Sequence, residues 1–112
     1  MSQFHIRLPD PAKARGSDPE LSFRAHGADG FAEELQQALA TDVLFQRWRG
    51  LQPEPDEIDP ALGQTDPQAQ VTGEQSDLSI FLHIRTTLPS EILRQRLRWL
   101  AGPHWELRNV TA

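Results

Sequence analysis

The chain contains no cysteine. That removes disulfides, thiolate metal sites and cysteine nucleophiles together. It has no excess of positive charge either. Eleven Lys and Arg stand against sixteen Asp and Glu, a formal net charge of −5 over 112 residues. General nucleic-acid binding draws on a dominant basic field, so a nucleic-acid partner is not expected. No apolar run approaches the roughly 18 residues of a membrane span, and no membrane association is expected. The start, Met1-Ser2-Gln3, lacks a basic n-region and an apolar h-region, so no signal peptide is expected and the cytoplasm is the default location. The four histidines, His5, His26, His83 and His104, are scattered, without the spacing of a helical zinc motif. Phosphate-loop and dinucleotide glycine patterns are missing, as is a nucleophile elbow. The expectation is no metal, no cofactor and, on balance, no catalysis.

What is present is a short chain with unevenly placed charge. At this length a single domain over residues 1–112 is expected, with one small core. Residues 50–80 carry Glu54, Asp56, Glu57, Asp59, Asp66, Glu74 and Asp77 and no Lys or Arg. Residues 81–112 carry five Arg against Glu91 and Glu106. A basic C-terminal part thus sits inside an acidic protein. Within the acidic stretch, Pro53, Pro55, Pro60 and Pro67 oppose regular structure, so residues 52–70 read as an acidic, proline-rich connector anchored at most by Ile58 and Leu62.

The clearest pattern lies between Leu78 and Val110. Ser79 to Thr87 alternates apolar and polar residues, the signature of a half-buried strand. Pro89 suits a first helical turn. Ile92, Leu93, Leu97 and Leu100 then fall on one helical stripe, with Trp99 at its margin and Arg94, Arg96 and Arg98 pointing outward. Gly102 and Pro103 stop the helix, and His104 to Val110 reads as a last strand. Upstream, Phe4 to Leu8 alternates and ends at Pro9. Leu21 to Ala25 alternates again and predicts a second strand. Asp29 is the expected N-cap of a helix carrying Phe31, Leu35, Ala38 and Leu39 on one face. Val43 to Trp48 fits strand or helix, and a short helix capped by Asp42 is favoured. Gln70 to Thr72 predicts a short edge strand, followed by a turn over Gly73 to Asp77. The upstream half echoes the downstream one in layout, but two leucine spacings do not establish a repeat.

Alternating strands with amphipathic helices predict an α+β fold. The expected form is a two-layer sandwich: a mostly antiparallel, four- to five-stranded sheet with two or three helices on one face, a ferredoxin-like variant. Architecture does not imply function. The phases do point to a surface, however. With Phe4, Ile6, Leu8, Phe23, Ile80, Leu82, Ile84, Trp105 and Leu107 inward, the outward set is His5, Arg7, Arg24, Phe81, His83, Arg85, His104, Glu106 and Arg108. Such a face is ordinarily a solvated one. Its Arg forks also suit carboxylate or phosphate, with Phe81 as a stacking plane. The acidic connector has the charge to fold back over it. A second candidate is the turn His26 to Gly30, where His26 and Asp29 precede a helix N-terminus.

The function expected from these features is a small cytoplasmic binding or protein-interaction module that uses the Arg/His face. A protein partner or self-association is expected, with a small anionic ligand also compatible. The alternative is a small enzyme or anion-binding protein using the His26–Asp29 turn with His83 and Arg85. Trp48, flanked by Arg47 and Arg49, is either an exposed anchor or packed beneath the connector, and packing is favoured.

Overall fold

The structure is a computed structural model that describes residues 1–111. The elements run β1 (Ser2–Leu8), α1 (Ala28–Ala40), α2 (Val43–Gly50), β2 (Gln70–Ser76), β3 (Ser79–Thr86), α3 (Ser90–Ala101) and β4 (Glu106–Thr111), with single 3-10 turns at Pro11–Lys13, Pro55–Glu57 and Pro60–Gly63. The four strands form one antiparallel sheet in the order β2-β3-β1-β4. β1 and β3 therefore occupy the centre, and the fold is α+β with three helices.

Burial follows the alternation that formed the strands. Phe4, Ile6 and Leu8 on β1 and Ile80, Leu82 and Ile84 on β3 are buried, while the residues between them are half-exposed or exposed. These inward residues join the buried stripes of α1 (Phe31, Leu35, Ala38, Leu39) and α3 (Ile92, Leu93, Leu97, Leu100) in one core cluster. Each Leu or Ile taken from water there contributes roughly 1.5–3 kcal/mol, so the phase of each strand is strongly held.

Residues 43–50 are helical, as favoured, with Asp42 at the N-cap. Other expectations are corrected. Leu21 to Ala25 is not a strand. Leu21 and Phe23 are buried as the alternation required, but their backbone never joins the sheet. The Phe23 amide donates to Leu100 O (2.9 Å) at the end of α3. The Arg15 guanidinium donates to Phe23 O (2.9 Å) and Ala25 O (2.7 Å). A side chain supplies what a neighbouring strand would have supplied, which satisfies the same accounting of backbone polar groups.

β2 is longer than expected. Gly73 to Ser76 continue the strand, and the turn is the two-residue loop Asp77-Leu78, with Asp77 left-handed at φ 54°. Gly73 is tolerated in mid-strand because a Cβ there would lie 2.5 Å from Ala28 O at the start of α1. β4 starts at Glu106, leaving His104 and Trp105 before it. Its register shifts opposite His5 and Ile6, which makes Arg108 the extra residue of a bulge. Asp29 is the second residue of α1 and not its cap. Gly27 holds that position, and the Asp29 charge still favours the positive end of the helix dipole. α3 has Pro89 as its N-cap, not within its first turn.

The largest correction concerns Arg96, expected to point outward but fully buried. It donates to Ala38 O (3.4 Å), Leu62 O (3.0 Å) and Gln64 O (3.1 Å), and also bonds Gln95 Oε1. Its guanidinium lies 5.2 Å from the Trp99 ring centroid and 5.9 Å from that of Phe45. Burial pushes its pKa down to about 10, so it remains a cation at neutral pH. Together with Asp66 it ties the connector to the helices. Asp66 donates its amide to Leu39 O (2.8 Å). Its buried carboxylate accepts from Thr86 Oγ1 (2.8 Å), the Thr87 amide (2.9 Å) and the Gln68 amide (3.0 Å). Burial pushes that carboxyl up, but the bonds from Thr87, Thr86 and Gln68 outweigh it and hold the pKa below its ordinary 3.8. The connector is thus fastened by two polar clamps against α1, α3 and the end of β3, and these bonds do not carry it over the Arg/His face. Trp48 stacks on Trp99 (4.8 Å between centroids, 21° between planes) and packs against the core.

Candidate functional site

The outer face of the sheet is built in cross-strand rows. Antiparallel pairing in register places Gln70, Arg85, Gln3 and Thr111 in one row, and Thr72, His83, His5 and Asn109 in the next. A third row holds Glu74, Phe81, Arg7 and Glu106. Six of the residues expected on this face, His5, Arg7, Phe81, His83, Arg85 and Glu106, therefore do share it. Arg108 joins them at the β4 bulge, exposed and 3.5 Å from Glu106.

Its centre is a histidine pair. His5 and His83 are direct partners on the two central strands, and their rings stack at 4.4 Å between centroids and 7° between planes. His83 Nε2 lies 2.8 Å from Gln3 Oε1. With that oxygen as acceptor, the proton of the neutral ring sits on Nε2 and leaves Nδ1 bare. Burial, the neighbouring His5 and Arg85 together hold the His83 pKa below its ordinary 6.5. Two imidazolium charges at this separation would repel by about 1 kcal/mol in water and about 4 kcal/mol at an effective dielectric of 20. Near neutral pH His83 is therefore held neutral, and the stack can accept one proton far more readily than two. A cleft of about 250 Å³ opens over the pair, lined also by Thr72, Glu74 and Phe81.

The cations of the face differ in how committed they are. Arg7 donates to Glu106 Oε1 (3.1 Å) and Ser79 Oγ (2.9 Å). Arg108 shares the same Glu106 oxygen. Arg85 has no ion pair among the described residues. Phe81 stays 38 % exposed, a large apolar ring beside the histidines.

The remaining candidates lie elsewhere. Arg24, expected on this face, is carried by the irregular 21–25 segment and lines a groove of about 400 Å³ with Glu34, Val43 and Arg47. The misplacement follows directly from the strand that did not form. His26 lines a cleft of about 420 Å³ with Asp10, Arg15, Gln75 and Leu78. That cleft shares no residue with the one over His5 and His83, and Asp29 lines neither. The His26–Asp29 turn and the His83/Arg85 pair therefore do not assemble into one site. Among the described residues, no three His, Asp or Glu side chains cluster in a way that could hold a metal ion. Among the described residues, no helix is long and apolar enough to cross a membrane.

Sequence reasoning missed Gln3, Thr72, Glu74 and Asn109 on the face. Gln3 followed the phase of β1 and could have been found, whereas Asn109 reaches the face only because the Arg108 bulge shifts a phase that would otherwise turn it inward. Thr72 and Glu74 depended on the length of β2, which its weakly patterned sequence does not announce. Comparison with protein-family models, with curated proteins and with solved structures finds no match to this chain.

Proposed function

We propose that this chain is a small binding module that receives a protein partner on the outer face of its sheet. One observation carries the reading. The two central strands present a stacked His5–His83 pair, an uncommitted Arg85 and an exposed Phe81 side by side, while the helices and the connector draw their buried contacts from the opposite, core-facing residues. An exposed aromatic beside an Arg is the composition that anchors protein interfaces. The cleft over the pair is also small, about 250 Å³. Small-molecule sites run to roughly 300–1,000 Å³ and enclose most of their ligand, whereas a smaller opening suits a single group presented by a larger surface. The strand order and the two strand–helix–strand halves support reading the fold as a ferredoxin-like sandwich of two layers, with α2 as an added helix. The open face is then the layer's free side. A cytoplasmic setting is part of the proposal, since the cysteine-free chain uses no disulfide.

The test is site-specific photo-crosslinking in cells that express the full chain. A photoreactive residue at Thr72 reports on the outer face, and one at Arg94 on the helical side. A discrete protein adduct from position 72, lost when Arg85→Glu is added and not seen from position 94, is the expected result. An adduct of twice the chain mass would identify a second copy as the partner. The same adducts from both positions, unaffected by Arg85→Glu, would overturn the reading.

A further inference from the structure

The outer face is divided by charge, and the division falls between rows. The first two rows contain Gln70, Arg85, Gln3, Thr111, Thr72, His83, His5 and Asn109, with no carboxylate among the described residues. Both carboxylates sit in the third row, where Glu106 is held by Arg7 and Arg108. The cationic potential of the face is thus not spread evenly. It is left unneutralised where an Arg fork, two imidazoles and several neutral donors lie together.

We propose that this carboxylate-free half, resting on the docking reading above, takes a dianionic phosphoryl group carried by the partner protein, and that the His5–His83 stack takes up one proton as the group binds. The charge count argues for a dianion. Arg85 alone matches a single carboxylate. Arg85 with one proton on the stack supplies two positive charges, the complement of a phosphate ester near neutral pH. The stack is built to hold one such proton and to resist a second, because its rings are 4.4 Å apart. An anion beside it offsets the desolvation and the repulsion from His5 and Arg85 that hold His83 neutral. Arg85 and Phe81 face the pair from β3, and Gln3 and Arg7 from β1. Thr72 and Glu74 face it from β2, and Asn109, Arg108 and Glu106 from β4. Arg7 and Arg108 are already bound to Glu106. Glu74 lines the far side of the cleft beside Phe81, so the anion is placed toward Arg85 and Gln3.

The experiment titrates sulfate into the full chain and follows the ring signals of His5 and His83 by NMR. Sulfate stays dianionic between about pH 5.5 and 8, so any proton taken up belongs to the protein. The expected result is a rise of about one unit in the titration midpoint of the pair, with affinity increasing up to roughly tenfold toward the acid end. Arg85→Ala should weaken sulfate by about tenfold. The double variant His5→Gln, His83→Gln should still bind sulfate but without pH dependence. A peptide bearing phosphoserine should bind at least about tenfold more tightly than the same peptide with Glu in its place. Sulfate binding that leaves the histidine midpoint unmoved would overturn the proton coupling. Equal binding of the phosphoserine and Glu peptides would overturn the phosphoryl assignment in favour of a plain acidic segment. If sulfate and peptide both fail while the Thr72 adduct persists, the phosphoryl inference falls and the docking reading survives.

Discussion

Replacing Arg96 with Met tests the account of how this fold is held together. The substitution keeps an unbranched side chain of similar length and removes the guanidinium. Three carbonyl oxygens lose a charged donor: Ala38 O, which is buried, and Leu62 O and Gln64 O, which are partly so. Hydrogen bonds to a charged group contribute roughly 1.5–3 kcal/mol each, and a buried acceptor left unmade costs about 1–3 kcal/mol. Water can reach the connector carbonyls and recover part of their loss. The two ring contacts, to Trp99 and Phe45, add roughly 0.5–1 kcal/mol each, some of which a Met sulfur restores. Against these losses stands relief from burying a charge, worth several kcal/mol. The losses exceed that relief, and the expected net cost is about 3 kcal/mol. For a chain of 112 residues this corresponds to a fall in Tm of roughly 10–15 °C. Urea and thermal denaturation measure it, and hydrogen exchange should show residues 62–66 losing protection before the sheet does. Arg98→Met, two residues along on the exposed face of α3, is the control and should stay within about 0.5 kcal/mol. A cost below about 1 kcal/mol for Arg96→Met, or a gain, would contradict this role for Arg96. The guanidinium would then be tolerated in the core and not the clamp of the connector.

Two further outcomes follow from the polar clamps and the sheet. The Asp66 carboxyl has a folded pKa below its ordinary 3.8, so its stabilisation is complete above pH 3.8 and is lost as pH falls through the folded value; Asp66→Asn should be less stable by about 2 kcal/mol at neutral pH and should flatten the acid limb of a urea-midpoint curve, whereas an unchanged limb would count against the carboxylate's role. Gly73→Ala would place a Cβ 2.5 Å from Ala28 O, forcing α1 off β2 at a cost of roughly 1–3 kcal/mol, read as a lower urea midpoint, and a neutral effect would mean that α1 is not seated as described.

The legible parts of this fold were those written in local periodicity. β1, β3 and α3 carry strong patterns, and the inward and outward phases of Phe4 to Leu8 and Ile80 to Ile84 could be read directly from them. Because the outer face inherits those phases, five of its residues were legible too. The failures share a cause. Leu21 to Ala25 has a strand's alternation and a strand's burial, yet its carbonyls are satisfied by Arg15, a residue no window around the segment includes. Arg24 left the face with it. β2 has only one buried apolar side chain, Val71. Its extent was settled by pairing with β3 and by the approach of α1 at Gly73.

By itself, then, the sequence determined which side of each well-patterned element turns inward, and with that the α+β class and the placement of His5 and His83 on the outer side. Burial of apolar surface is a local preference that each side chain states alone. Long-range packing set which backbone groups found a strand and which found a side chain, how far β2 runs, and that an arginine in a charged helix would go inside. It also decided that the two histidines meet ring to ring and that carboxylates stay out of their half of the face. Those outcomes depend on hydrogen-bond partners and register neighbours distant in the chain, and no single residue's pattern carries that information.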